Sequence, residues 1–398
     1  MNFLFILNTF YPNIGGVEQA TLEICRQLKK KSHNIHILTT NKSNYYPDNQ
    51  HLRSFEIFEG IPIFRVRYTL RFIAIPMKAL YLTKKFKINR LYITDFLGFI
   101  AIFLKRVFHI PFSYVLNGYN PICPKGTLFH TEICQGFEVI KCLKYCRKFS
   151  VRFILAFIIT RILLSEAQPA IAISNAIKNA YLSYFRKIPI KLIYYGIDLQ
   201  RFYPQTINHK IVPNKLKESD KIILFFGRLI QERGVYEFLP HFKNLLQQMN
   251  CKFLIVGFGP EMPNIKMRVR DLNLQNYIIF TGILTNQPLI NVINLSDIVI
   301  LPILFPEPLS LVVLEAMACA KPIISFDLGG VKELLNEIEP KLLVPPNDWS
   351  QFTDKIYEFL NDKELRTTVG LALRQRAEKY FNWERYSNQF LKEIGLKE

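Results

Sequence analysis

No apolar run in this chain reaches the roughly 20 residues that a membrane-spanning helix needs. The greasiest stretch, residues 153–164, is interrupted by Arg161 and preceded by Arg152. A basic leader is missing too: the start, MNFLFILNTFYPN, offers only a strand's length of apolar residues before a polar loop, which argues against a secretory signal. Cysteine is sparse, with 7 in 398 residues, and the odd number argues against a disulfide-stapled chain and for a reducing compartment. The expected location is therefore cytoplasmic. Acids are scarce, but only in one half. Residues 1–200 hold 27 Lys and Arg against 10 Asp and Glu, whereas the remainder holds 24 against 22. A near-neutral half suits a small ligand, and a strongly basic half suits an anionic surface.

What is present is ample apolar content, 49%, in a chain long enough for two domains. Short apolar segments alternate with helical ones: residues 2–8, a helix opening near Val17, then strands at 34–40, 61–68, 90–95, 112–116, 169–174 and 191–195. Residues 201–220 are polar, proline-containing and weakly periodic, and read as a linker. A second alternation follows, with strands at 222–226, 253–256, 277–280, 298–302, 323–326 and 342–344. Both halves read as α/β, doubly wound, Rossmann-like domains facing across a cleft. The expected division is 1–200, linker 201–220, 221–375, and a final helical stretch 376–398 packing back toward the first domain.

The chemistry concentrates in residues 301–322, LPILFPEPLSLVVLEAMACAKP. The pattern is the end of a buried strand, a turn on Pro306 and Pro308, a helix over 309–320 and a breaker at Pro322. Glu307 and Glu315 bracket an almost wholly apolar segment, where a carboxylate needs a partner. Either the backbone satisfies them, or they accept hydroxyl donors from a polyhydroxylated ligand. After the strand 222–226 come Gly227, Arg228 and, five residues on, Arg233, and guanidinium forks match phosphate oxygens. Gly15 and Gly16 follow the first strand and precede a helix, an arrangement that either is a tight turn or points free N–H groups at an anion. Between Arg65 and Arg106, and again over 141–161, basic and aromatic residues interleave. No nucleic-acid motif accompanies them, so an anionic membrane surface is favoured over nucleic acid as the partner, against a merely solvated basic face. Cys123, Cys134, Cys142 and Cys146 fall within 24 residues, at spacings unlike a standard zinc ribbon; they read as buried or free thiols or as a structural zinc site.

Together these segments resemble the large GT-B fold family of retaining glycosyltransferases, family 4 type. The resemblance runs over nearly the whole chain: Pro12, Gly15-Gly16 and Glu18; Ser32-His33; Ala172-Ile173-Ser174; Tyr195-Gly196-Ile197-Asp198 through Phe202; Gly227-Arg228 to Arg233-Gly234; and Glu307 to Glu315, the family's E-x7-E. It implies that Gly16, Arg228 and Arg233 hold a donor diphosphate, with amides of Ser310, Leu311 and Val312 adding to the site. It further implies Glu315 on the ribose, Glu307 on the sugar, and no cofactor or metal at the diphosphate. Arg233 stands where the family usually has Lys, Leu309-Ser310 replaces Phe-Gly, and Asn117-Gly118 replaces a His-Asp. Asn117 can still hydrogen-bond a sugar, although it cannot act as acid or base.

The function implied is a retaining, hexosyltransferase-type glycosyltransferase. It would move sugar from a nucleotide-sugar donor to a hydroxyl of a glycan or lipid-linked acceptor, in cell-surface polysaccharide or glycolipid synthesis, at the inner membrane face. The missing His-Asp and Phe-Gly leave open a degenerate scaffold, and the fold leaves open a nucleotide-sugar epimerase or hydrolase.

Overall fold

The computed structural model describes residues 1–13, 15–42, 52–123, 125–128, 151–207, 216–217, 219–338 and 341–396. They divide into two compact units, the first running to Tyr195 and including Trp383–Glu398, the second being Gly196–Asn382.

In the first unit, β1 (Asn2–Ile6), β2 (Asn34–Thr40), β3 (Phe55–Phe58), β4 (Ile61–Val66), β5 (Arg90–Ile93), β6 (Phe112–Leu116), β7 (Ala170–Ala172) and β8 (Ile190–Leu192) form one sheet. Helices α1 (Gly16–Lys30), α2 (Arg71–Lys85), α3 (Ile100–Phe108), α4 (Val151–Glu166) and α5 (Asn175–Tyr184) lie between them. The strand order is β3-β4-β2-β1-β5-β6-β7-β8, parallel throughout except for β3 against β4. Strand–helix alternation predicts only parallel neighbours. The edge pair departs from it because Glu59 and Gly60, both at positive φ (51° and 68°), make a two-residue turn too short for a crossover.

Residues of β1 alternate between faces, as the pleat requires. Leu4 and Ile6 enter a core shared with Ile75, Ala79 and Leu82 of α2 and Leu104 of α3. Phe5 stacks on Tyr92 at 4.4 Å on the other side, and Tyr92 meets Phe390 edge-on at 5.6 Å. Phe390 belongs to the chain's last helix, Trp383–Glu393, which packs on α1.

The second unit holds β9 (Lys221–Phe226), β10 (Cys251–Val256), β11 (Ile278–Gly282), β12 (Ile298–Leu301), β13 (Ile323–Phe326) and β14 (Leu343–Val344), all parallel in the order β11-β10-β9-β12-β13-β14. Its helices are α6 (Val235–Leu245), α7 (Met262–Asp271), α8 (Asn286–Leu295), α9 (Leu311–Ala318), α10 (Val331–Leu335), α11 (Trp349–Asn361) and α12 (Lys363–Tyr380). Each unit has one place where the strand order reverses: between β1 and β5 in the first, and between β9 and β12 in the second. In a doubly wound sheet a ligand binds outside the carboxyl ends of the strands at that reversal. Among the described residues no helix is long and apolar enough to cross a membrane.

Candidate active site

At the reversal in the second unit, the loops after β9 and β12 are tied together. Leu304 N–H donates to the Glu232 carbonyl at 2.9 Å, and Gly234, at φ +70°, lies so close to Pro302 that a Cβ there would stand 1.9 Å from its carbonyl oxygen. Only glycine satisfies both conditions. This contact brings Arg233 onto Glu307: Arg233 Nη2 and Nη1 donate to the two carboxylate oxygens at 2.5 and 3.1 Å. The sequence reading gave Arg233 to a diphosphate and Glu307 to a sugar. In the structure they neutralise each other, as two largely buried charges must. Arg233 Nε remains buried and unpartnered among the described residues. Arg228 is exposed, and no partner for its guanidinium is found among the described residues.

The helix bearing the second acid is shorter than expected. It spans Leu311–Ala318 rather than 309–320, because Ser310 is extended (φ −92°, ψ 113°) and Ala320 turns left-handed (φ +54°). Ser310 is thereby its N-cap, yet its side chain caps nothing. The hydroxyl is fully buried and without a partner among the described residues. An N-cap serine normally closes on an amide of the first turn, so here both the hydroxyl and the first-turn amides of Leu311 and Val312 are left for something else. Glu315 lies one turn further, only 7% exposed. Burial pushes its carboxyl up to about 8, opposed by the positive charge of Arg201. Arg201 lies at the start of the stretch read as linker, and its guanidinium donates to Asn286 Oδ1 at 2.7 Å.

Sequence reasoning missed Arg201 and the glycine pair Gly329-Gly330 at this edge. Gly330 N–H donates to the Glu307 carbonyl at 2.7 Å, and a Cβ on Gly330 would stand 2.1 Å from the carbonyl oxygen of Pro308. The signal was available: Gly329-Gly330 follows strand 323–326 with two residues between, and Gly227 follows 222–226 directly.

In the first unit, Gly15 is the N-cap of α1 and Gly16 its first residue. The Glu18 carboxylate lies beside this turn. A Cβ on Gly15 would stand 2.3 Å from Glu18 Oε2, and Thr9 Oγ1 donates to Glu18 Oε1 at 2.5 Å. A carboxylate in the first turn is favoured by the same dipole that would attract phosphate. At the β1–β5 reversal, Asp95 accepts from the amides of Asn8 and Leu97, both at 2.8 Å. Burial nevertheless pushes it up to about 6, against the pull of those amides and of Arg71. Asn117 follows β6, and its Oδ1 accepts from the Tyr195 hydroxyl. Of the cysteine cluster, Cys123 is a buried free thiol, while Cys134, Cys142 and Cys146 lie outside the described residues.

Residues 14–201 match the family described as Glycosyltransferase Family 4, and residues 207–376 that described as Glycosyl transferases group 1. Among curated relatives, N-acetyl-alpha-D-glucosaminyl L-malate synthase of Bacillus anthracis is 26% identical over 50% of this chain and 52% of its own, so the chain spans about half the length of that relative. Alpha-monoglucosyldiacylglycerol synthase of Streptococcus pneumoniae is 24% identical over 83% of this chain and 72% of its own. The crystal structure of Anabaena Alr3699/HepE in complex with UDP superposes with a TM-score of 0.73 at 18% identity, over 98% of this chain and 99% of that one. With one family match on each unit and the fold shared along its length, the chain belongs to the GT-B glycosyltransferases of the family 4, group 1 type.

Proposed function

We propose that this chain transfers a sugar from a nucleotide-sugar donor to a hydroxyl of a glycan or lipid-linked acceptor, with retention at the anomeric carbon. The second unit would hold the donor. The observation that carries this is the group gathered where its strand order reverses: the exposed Arg228, with no guanidinium partner among the described residues, Arg233 paired with Glu307, the buried Ser310 hydroxyl, and Glu315. Each has a use in such a donor. Arg228, Arg233 and the α9 amides would take the diphosphate, Glu307 the sugar hydroxyls, and Glu315 the ribose hydroxyls. HepE, whose structure was solved with UDP, lends support from the same fold.

In the transfer step the bond from the anomeric carbon to the diphosphate oxygen breaks, and the acceptor oxygen bonds to that carbon on the same face. The acceptor proton passes to the leaving phosphate oxygen. The negative charge growing on the diphosphate would be met by the two guanidinium groups and the helix-start amides, an effect worth several kcal/mol where water is excluded. The cationic charge is thus assigned to the protein, and no cofactor is invoked.

The first unit would bring the acceptor, with Asn117 contacting a sugar and the unit resting on an anionic membrane. Ile73, Met77 and Tyr81 recur every fourth residue along the exposed side of α2, beside Arg71, Lys78, Lys84 and Lys85. That is the pattern of a helix lying in a headgroup layer. The similarity to a synthase named for a glucosyldiacylglycerol agrees with a lipid-linked acceptor. A thermal-shift screen of nucleoside diphosphates and nucleotide sugars tests the core of this reading, since ligand at 100 times its Kd adds about 2.7 kcal/mol. A best nucleotide sugar that stabilises the protein and donates its sugar to an acceptor supports it. A protein whose melting no nucleotide moves refutes it.

A further inference from the structure

The two ends of the Asn117 carboxamide are treated differently. Oδ1 accepts from the Tyr195 hydroxyl. Nδ2 is buried and has no partner among the described residues. Folded proteins rarely leave a buried amide N–H2 unpaired, so its presence points to a group that arrives from outside. Space for one lies next door: a Cβ on Gly118 would meet nothing within 4 Å. The Gly118 carbonyl is tied back by the Tyr181 hydroxyl at 2.9 Å, which holds this part of the chain after β6 in place.

Tyr195 is itself braced. Its buried ring lies 5.4 Å from Trp383 and 5.6 Å from Tyr386, both on the chain's last helix. The Tyr386 hydroxyl shares a 2.9 Å hydrogen bond with Tyr92, whose ring stacks on Phe5 of β1. The phenol therefore has little freedom to move away from Asn117. A phenol has one proton to give, and here Oδ1 receives it. With Oδ1 occupied, the N–H2 is the end of the amide left to meet a ligand.

We propose that Tyr195 is a positioning residue that fixes the Asn117 carboxamide with its N–H2 presented to the ligand, so that this point of the first unit selects an oxygen acceptor such as a sugar hydroxyl or ether. The ligand's identity rests on the transfer reading above; the orientation of the amide does not. A preset donor explains how an amide serves without acid–base chemistry. A sugar oxygen needs only a correctly aimed N–H, and the aim is supplied by the tyrosine rather than by the ligand.

The test uses Tyr195→Phe, which removes only the hydroxyl and keeps the ring against Trp383 and Tyr386. In the wild-type background it should lower kcat/KM for transfer about tenfold, the worth of one hydrogen bond. In an Asn117→Ala background it should lower it no further, because the hydroxyl then has nothing to aim. Asn117→Asp, which still accepts from Tyr195 but offers no N–H2, should lose as much as Asn117→Ala. Additive losses, or full activity in Asn117→Asp, overturn the proposal. A second readout is independent of turnover: in protein labelled with 15N at asparagine, the side-chain N–H2 pair that vanishes in Asn117→Ala should shift or broaden in Tyr195→Phe. If it does not move, the proposal fails whether or not transfer is found. If it moves in a protein that transfers no sugar, the orientation stands and the transfer reading falls.

Discussion

Both units carry a doubly wound sheet whose strand order reverses once, yet among the described residues the first leaves 15 large apolar side chains exposed and the second six. The charge follows the same divide, with 27 basic against 10 acidic residues in positions 1–200 and 24 against 22 beyond. At the reversals the contrast runs the other way. The second unit gathers an ion pair, a hydroxyl with no partner among the described residues and a carboxyl raised by burial at one edge. The first covers its glycine turn with its own Glu18 and ties Asp95 to two amides. One architecture thus serves two uses. Polar groups left unspent inside suit the small polar ligand proposed for the second unit, and apolar and basic groups left outside suit the anionic surface proposed for the first.

The sharpest way to break this comparison is at the Arg233–Glu307 pair. Arg233→Met leaves the Glu307 carboxylate buried without its counter-charge, which should destabilise the protein by about 3–5 kcal/mol. It should also lower transfer at least about 100-fold through the lost phosphate contact. The double variant Arg233→Met with Glu307→Gln removes both charges, so denaturant melts should return most of the lost stability while transfer stays lost. A double variant that recovers transfer along with stability would show the pair to be architecture and remove Arg233 from the diphosphate site.

Glu315 sharpens the contrast through pH. Its carboxyl is raised from 4.5 to about 8, so the folded state holds the proton more tightly than the unfolded one. Stability should therefore be unaffected below about 4.5, fall as pH rises toward 8, and level off above. At pH 7 the cost is on the order of 3 kcal/mol, and Glu315→Gln should recover it, with the gain over wild type vanishing near pH 4. Asp95 in the first unit, raised to about 6, has its own shallower step between about 4 and 6. Hydroxyl donors from a ribose would favour the ionised Glu315 and lower its pKa. Binding of a nucleoside diphosphate near pH 7 should then release protons, read by calorimetry in buffers of different ionisation enthalpy, and Glu315→Gln should abolish that release.

Much of this is legible in the amino-acid sequence. Strand–helix alternation gave both sheets, since buried parallel strands read as short continuous apolar runs. The acids and arginines stood out because charge is costly in apolar surroundings. What the sequence hid were facts of relative position. That Arg233 closes on Glu307, 74 residues away, depends on Gly234 passing against Pro302. That Glu18 folds back over Gly15 is a rotamer choice, which no spacing rule reports. Arg201 looked like linker because its neighbours are polar and weakly periodic, and its bearing on Glu315 appears only once the chain is folded.

The smallest effect tests the other side of the comparison. On α2, Ile73 and Met77 are 67% and 66% exposed, one turn apart, and Arg71 stacks over Phe72 at 4.5 Å. On α3 the exposed Phe103 and Phe108 meet edge-on at 6.1 Å, and Lys84 of α2 lies over the Phe108 ring at 5.8 Å. An apolar patch with cations stacked on its rings can insert its side chains while its charges meet lipid phosphates. Replacing Ile73 and Met77 by Glu together removes apolar area and adds repulsion, and should weaken retention on vesicles of anionic lipid at low salt by at least about tenfold. The matched change in the second unit, Met267→Glu with Leu371→Glu, alters two side chains each 52% exposed and should leave retention unchanged. Nucleoside diphosphate affinity should be untouched in both. If the second-unit pair releases the protein as readily as the first, or if wild type is not retained at all, the asymmetry of exposed surface does not mark a membrane-facing side.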